Sequence, residues 1–345
     1  MITPAVWFPT VRTGTGTDVF TRTLADNLNA RGVRAEITWL PHRAEYCPWS
    51  VRHPQAPDWS NIVHANTWLN WRLLPKDMPL VVTVHHTVHR PELRKQKGIL
   101  RALYHQFWIA PNERRMLRLA NQATTVSEFA ADATRKDLVD HPIRVIYNGI
   151  DTDRFFPKPK DEGNEPFRLL YVGSWISRKG VDLLQPIMRK LGPGFELLYT
   201  GPQEGRVKGN TRDIGHLANE EQVVQALQDA DVLLFPSRSE GFGLVIVEAM
   251  ASGLPVVTSE IAPITEIIRN GVDGFLCPVN DTDEFARAIR RLKEDSQQYK
   301  QIRKSGRKRA LDRFSVDTMT KQYVELYSNM LASAQNEEVR LAPLA

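Results

Sequence analysis

Short runs rich in Val, Leu, Ile and Tyr recur along this chain, and between them lie stretches where apolar residues return every three or four positions. VVTVHH (81–86), RVIYN (144–148), RLLYVGS (168–174), FELLYTG (195–201), DVLLFPS (231–237) and PVVTS (255–259) read as buried strands. TDVFTRTLADNLNARG (17–32) and NEEQVVQALQDA (219–230) carry the helical period. Strands alternating with amphipathic helices predict parallel sheets built from βαβ units, an α/β fold. The segment PKPKDEGNEP (157–166) is charged, Pro-rich and without apolar residues, and reads as a linker. It divides the chain into expected domains at 1–158 and 165–316. A last helical pattern, DTMTKQYVELYSNMLAS (317–333), has a periodicity that lets it finish the second domain or cross back onto the first. We assign it to the first.

Composition narrows the class. A chain of 345 residues with 42% hydrophobic and 25% charged residues has the make-up of a soluble globular protein of two domains. Two cysteines, Cys47 and Cys277, argue against a disulfide framework or a cysteine zinc site and fit a reducing, cytoplasmic setting. The start, MITPAVWFPTV, lacks a basic n-region and is broken by Pro4 and Pro9, unlike a signal peptide. No apolar run approaches the ~20 residues that span a bilayer. Residues 1–160 hold 22 Lys and Arg against 14 Asp and Glu, whereas the remainder holds 23 against 26. The basic first half implies an anionic partner there: nucleic acid, a phosphorylated substrate or a membrane surface.

One stretch carries the chemistry: PSRSEGFGLVIVEAMASGLPVV, residues 236–257. A strand ends at Pro236, a loop follows, a helix runs through LVIVEAMAS to Gly253, and a strand resumes. Glu248 sits in an otherwise apolar helix, and a carboxylate there is costly unless something binds it. It either pairs within the core or is held out to a ligand's hydroxyls. In parallel sheets ligands bind beyond the carboxyl ends of strands, which is where Glu240 falls. The Gly241 and Gly243 amides lie at a helix N-terminus able to receive a phosphate or sugar oxygen. Two carboxylates at two depths beside such a helix end suit a sugar joined to a nucleotide.

The two glutamates with seven residues between them, Glu240-GFGLVIV-Glu248, resemble the signature of retaining glycosyltransferases of the GT-B fold, in particular family 4 (GT4). NGIDTDRF (148–155), TVSE (125–128), IGHLANEEQVVQALQDADVLLFPS (214–237) and EIIRNGVDGFL (266–276) are similar to that family in the same order. The resemblance covers most of the chain and is strongest from about 120 to 280. It implies two Rossmann-like domains facing across a deep cleft, the first binding the acceptor and the second a nucleotide diphosphate sugar. It implies that Glu240 contacts the donor sugar and Glu248 the ribose, with Phe242 and Leu244 beside them in the donor-binding loop. It places the diphosphate on YVGSWISRKGVDLL (171–184), with Lys179 as the phosphate-binding lysine and Gly173 in the turn. Where the family commonly has arginine after that glycine, this chain has Ser174, and Arg178 is the candidate to supply the second cation. Fixed cations would stabilise charge on the leaving diphosphate without a metal. No metal and no cofactor is expected beyond the donor itself.

In the first domain the resemblance picks out His85 in VTVHHTVHR (81–90), with His86 as competitor, as the histidine near the reacting carbon. It also picks out RTGTGTD (12–18), where Gly14 and Gly16 would let the backbone approach the donor. Val19 stands where a dinucleotide fingerprint needs its third glycine, so that motif is excluded. Residues 90–120 carry eight Lys and Arg against two Glu, interleaved with Leu100, Leu103, Tyr104, Phe107 and Trp108. Such a segment is either a solvated helix packing its apolar stripe or a contact to an anionic membrane or a lipid-linked acceptor. Many family members build lipopolysaccharide, capsule or other cell-envelope glycans at the inner face of the membrane. No nucleic-acid-binding motif accompanies the charge. A nucleotide-sugar epimerase or hydrolase of the same fold, or an idle donor-binding partner of another transferase, stay open as alternatives.

Overall fold

Strand β1, Val6–Val11, is buried along its whole length, and its side chains feed two different cores. Val6 and Phe8 join one apolar cluster, and Trp7 and Val11 join another. That is the two-residue period of a strand covered on both faces, as parallel sheets are. The computed structural model describes residues 2–85, 99–159, 165–201 and 208–341.

The chain forms two compact units, one of residues 1–149 with 316–345 and the other of residues 150–315. The first contains β1, β2 (Ala35–Leu40), β3 (Ile62–Asn66), β4 (Leu80–Val84), β5 (Gln122–Thr125) and β6 (Ile143–Val145) in the order β2-β1-β3-β4-β5-β6. Every pairing is parallel. Helix Gly16–Ala30 and the long C-terminal helix Val316–Leu341 cover one face. Met319, Tyr323, Leu326, Tyr327 and Met330 of that last helix recur every three or four residues and pack with Val6, Phe8 and Val81.

The second unit contains β7 (Phe167–Tyr171), β8 (Phe195–Tyr199), β9 (Thr211–Asp213), β10 (Val232–Phe235), β11 (Val256–Ser259) and β12 (Phe275–Cys277). Its order, β12-β11-β10-β7-β8-β9, is again fully parallel. This is the doubly wound arrangement in which successive strands run outward from the centre in both directions. The direction of winding reverses between β7 and β10. The helices that follow these two strands therefore lie on opposite faces, and a crevice opens above the two strand ends. The equivalent reversal in the first unit lies between β1 and β3. Among the described residues no helix is long and apolar enough to cross a membrane.

Candidate functional site

The crevice of the second unit is bordered by two loops, one leaving β7 and one leaving β10. After β7 the chain passes Gly173 and Ser174 and makes a tight 3-10 turn at Ser177–Lys179. Gly180 then turns left-handed, with φ +72°, and opens helix Val181–Leu191. A Cβ at Gly180 would lie 2.0 Å from the carbonyl oxygen of Pro236, so only glycine lets the two loops approach this closely. After β10, Pro236 ends the ladder and Gly243, at φ +102°, opens helix Leu244–Ala251.

Lys179 and Glu240 meet across this gap. The Lys179 ammonium donates to both carboxylate oxygens, at 2.7 and 2.9 Å, and also lies 5.1 Å from the Phe235 ring centroid. Glu240 is buried, and Ser237 Oγ donates to its Oε1 at 2.5 Å. Burial together with the Glu240 charge pushes the Tyr171 phenol well up, so Tyr171 stays protonated. Its hydroxyl donates to the Ser174 carbonyl at 3.1 Å and shapes the turn after β7. The amide of Gly173 donates to Thr200 Oγ1 at 3.1 Å, while the Ser174 side chain is exposed.

Arg178 turns its guanidinium to the Ser239 carbonyl and so ties the two loops together. The Arg238 amide returns the tie by donating to the Arg178 carbonyl at 2.8 Å. Arg238 also forms a two-pronged ion pair with Asp182, at 2.6 and 2.7 Å, which holds the Asp182 carboxyl below its usual range. Ser237, Arg238 and Asp182 are functional neighbours that the sequence motifs do not mark. The polar run SRSE between Pro236 and Gly241 is the sequence signal for the first two.

Glu248 occupies the second turn of helix Leu244–Ala251 and is half-buried. Among the described residues nothing donates a hydrogen bond or ion pair to its carboxylate. Burial, with a smaller contribution from the Glu220 charge, pushes its carboxyl up to about 7. A carboxylate held without a partner beside a helix N-terminus is chemically suited to accept from paired hydroxyls. Phe242 is buried against Phe314, ring centroids 5.9 Å apart, which leaves the backbone of this loop to meet a ligand. Gly241 and Leu244 are half-buried beside it.

In the first unit His85 follows directly on β4, half-buried, with Phe20 edge-on to its ring at 4.6 Å. Burial lowers its pKa to about 4, so the ring is a neutral hydrogen-bonding group. His86 lies outside the described residues. Below His85, His64 bridges Tyr327 Oη and Thr83 Oγ1, both at 2.7 Å, which fastens the C-terminal helix to the sheet. The Gly14 turn has φ +68°, and its amide is engaged by Asp18 Oδ2 at 2.8 Å, as is that of Thr13 at 3.0 Å. Gly16 is the first residue of the helix that follows. Among the described residues no group of three or more His, Cys, Asp or Glu could hold a metal ion.

Two family patterns match the chain: glycosyl transferases group 1 over residues 152–309, and glycosyltransferase family 4 over residues 17–154. The MMP alpha-(1->4)-mannosyltransferase of Mycolicibacterium hassiacum is 30% identical over 297 residues, covering 79% of this chain and 71% of that protein. The glycogen synthase of Mycobacterium tuberculosis is 28% identical over 316 residues, 87% of this chain and 72% of that one. Among solved structures, sucrose-phosphate synthase from Thermosynechococcus elongatus superposes with a TM-score of 0.77 at 20% identity, over 95% of this chain and all of that one. Anabaena HepE in complex with UDP and glucose superposes at 0.71 and 19% identity, over 94% and 99%. These structural likenesses carry the fold.

Proposed function

This chain belongs to the family 4 glycosyltransferases, retaining enzymes of the GT-B fold that use nucleotide-sugar donors, and from that premise we propose that it glycosylates a hydroxyl of a cell-envelope or exopolysaccharide acceptor without a metal. The observation that carries the donor assignment is the Lys179–Glu240 pair at the β7/β10 reversal. In this reading an incoming diphosphate takes the ammonium, and the released Glu240 carboxylate turns to hydroxyls of the donor sugar. Lys179 then stabilises charge on the departing phosphate, where a fixed cation lowers the barrier most. Glu248 accepts from the ribose hydroxyls. Gly241, Gly243 and the helix they precede offer backbone N–H groups to the diphosphate. His85, neutral, stands at the end of β4 in the first unit as a hydrogen-bonding group for substrate. Arg178 acts by holding the Lys179 loop against the Glu240 loop. No protein nucleophile is required if the leaving phosphate takes the acceptor's proton.

The same reading brings the first unit to an anionic membrane surface. Trp49 and Phe107 are 74% and 70% exposed, and Trp49 meets Trp108 edge-on at 6.1 Å. Exposed aromatics are one part of the make-up of an interfacial contact. Phe107 is presented by a π-turn, His105–Ile109, in the helical segment that ends at Leu119. Arg94, Lys95 and Lys97 lie outside the described residues.

Calorimetric titration of the full chain with ADP, GDP, UDP and their glucose or mannose conjugates, in excess chelator, tests the donor assignment. Binding of one nucleotide class, lost in Glu248→Ala, is expected. Binding to none, or binding only on adding a divalent metal, overturns it.

A further inference from the structure

Beside the β1–β2 edge of the first unit's sheet, two arginines converge on one indole. Arg12 is the residue that follows β1, its amide donating to the Leu40 carbonyl at 3.0 Å. Trp39 lies next door on β2, in register with Thr10. The Arg12 guanidinium carbon stands 5.1 Å from the Trp39 ring centroid. Arg22, from helix Gly16–Ala30, stands 5.4 Å from the same ring. Both arginines are exposed and the indole is half-buried.

Like charges drawn to one ring repel unless something stands between them. Among the described residues neither guanidinium has a carboxylate or hydrogen-bond partner. Asp18, the nearest acid in sequence to Arg12, spends its oxygens on the Thr13 and Gly14 amides and the Thr13 hydroxyl. Arg12 leaves the carboxyl end of β1, one of the two strands that border the reversal, two residues before the Gly14 turn, and ligands of parallel sheets bind beyond such strand ends. Guanidinium groups recognise carboxylate and phosphate through paired N–H donors. A flat indole beside them offers a surface for the C–H face of a sugar ring.

We propose that Arg12, Arg22 and Trp39 form the acceptor subsite and that the acceptor is an anionic sugar, its carboxylate or phosphate held between the two guanidinium groups and its ring on Trp39. This rests on the glycosyltransferase reading and narrows it: a neutral glycan does not explain two unpaired cations at this position.

The test is an NMR titration of the full chain that follows the Trp39 indole N–H, assigned through Trp39→Phe. Glucose 6-phosphate, glucuronate, inorganic phosphate and glucose are added separately. Saturable shifts with glucose 6-phosphate or glucuronate, at least tenfold weaker in the double variant Arg12→Gln/Arg22→Gln, are expected. Which of the two binds tells phosphate from carboxylate. Equal response to glucose, no response to either anionic sugar, or an unchanged affinity in the double variant overturns the proposal. A response to inorganic phosphate as tight as to the sugar phosphate overturns the sugar part, because the site is then a simple anion site. A melting curve of the double variant shows that lost binding is not lost folding. UDP and GDP titrated into the unsubstituted protein separate the two readings: their failure strikes the donor assignment and leaves the anion result standing.

Discussion

Lys179 and Glu240 neutralise each other across the crevice of the second unit, the ammonium 2.7 Å from one carboxylate oxygen and 2.9 Å from the other. Each therefore has a partner in the absence of a donor, and the side-chain exposures of 16% and 7% are compatible with two charges in one narrow place. Removing the cation alone leaves a buried carboxylate without its counter-charge, with the Ser237 hydroxyl still donating to it. Lys179→Met is expected to cost about 3–5 kcal/mol of stability. In Lys179→Met/Glu240→Gln most of that loss should return, while donor binding stays poor. Chemical denaturation of the two variants checks this; a single variant as stable as the parent refutes the pairing.

Glu240→Gln keeps the size of the side chain and removes its charge. Turnover should fall by about 10²–10³ if the carboxylate stabilises charge that develops on the sugar. Nucleoside diphosphate affinity should hold or rise, since Lys179 is freed for phosphate. Steady-state transfer and calorimetry on the same sample decide it, and near-normal turnover would remove Glu240 from the chemistry.

Glu248 sets a pH dependence of unusual sign. Its carboxyl is pushed up to about 7 from an ordinary 4.5. The folded protein thus holds a proton that the unfolded chain has released, and stability falls as pH rises between those values. Above about pH 7 the deficit is complete, roughly 3–4 kcal/mol. Glu248→Gln should therefore raise the melting temperature at pH 8 and leave it nearly unchanged at pH 4. The same variant should weaken nucleotide binding about tenfold, the loss of charge-assisted bonds to hydroxyls.

The two histidines of the first unit give the opposite slope. Burial, with the His85 charge second, lowers His64 to about 3, and burial lowers His85 to about 4, from an ordinary 6.5. Unfolding takes up protons the folded form refuses, so this contribution is full above about pH 6.5 and is lost as pH falls through 6.5 towards 3–4. The slope is about 1.4 kcal/mol per pH unit for each ring. His64→Gln should flatten the acid limb of a melting-temperature profile by one ring's share.

Gly180→Ala places a Cβ 2.0 Å from the Pro236 carbonyl oxygen at a left-handed φ. The two loops must then part, at a cost of about 2–5 kcal/mol from backbone strain and overpacking. Nucleotide affinity should fall in step with stability, and thermal melts with and without UDP or GDP compare the two losses.

Much of the second unit is legible in sequence because β7, β8, β10 and β11 are aliphatic runs buried on both faces. β9 and β12 have three residues each, too few for any period, and exist by pairing with Leu197–Tyr199 and Val257–Ser259. β2 is an edge strand whose residues are mostly half-buried, so its pattern is weak. Lys179 and Glu240 are each visible as motif positions. Their ion pair is not, because 61 residues separate them and only the adjacency of β7 and β10 brings them together. Strand order is a tertiary property, and no local pattern encodes it. The solitude of Glu248 is likewise a property of what surrounds it. The burial of Phe242 against Phe314 depends on a helix that returns from the far end of the unit.

The stitching of the loop after β7 to the loop after β10 has a bearing on redesign. Arg178 binds the Ser239 carbonyl, Arg238 binds the Arg178 carbonyl and Asp182, and Gly180 nests on Pro236. The two segments behave as one cassette written in two places. A donor-specificity graft from a relative that carries only one of them brings mismatched halves together. Chimeras should keep their fold and activity when 173–182 and 236–243 travel jointly, and lose both when either travels alone.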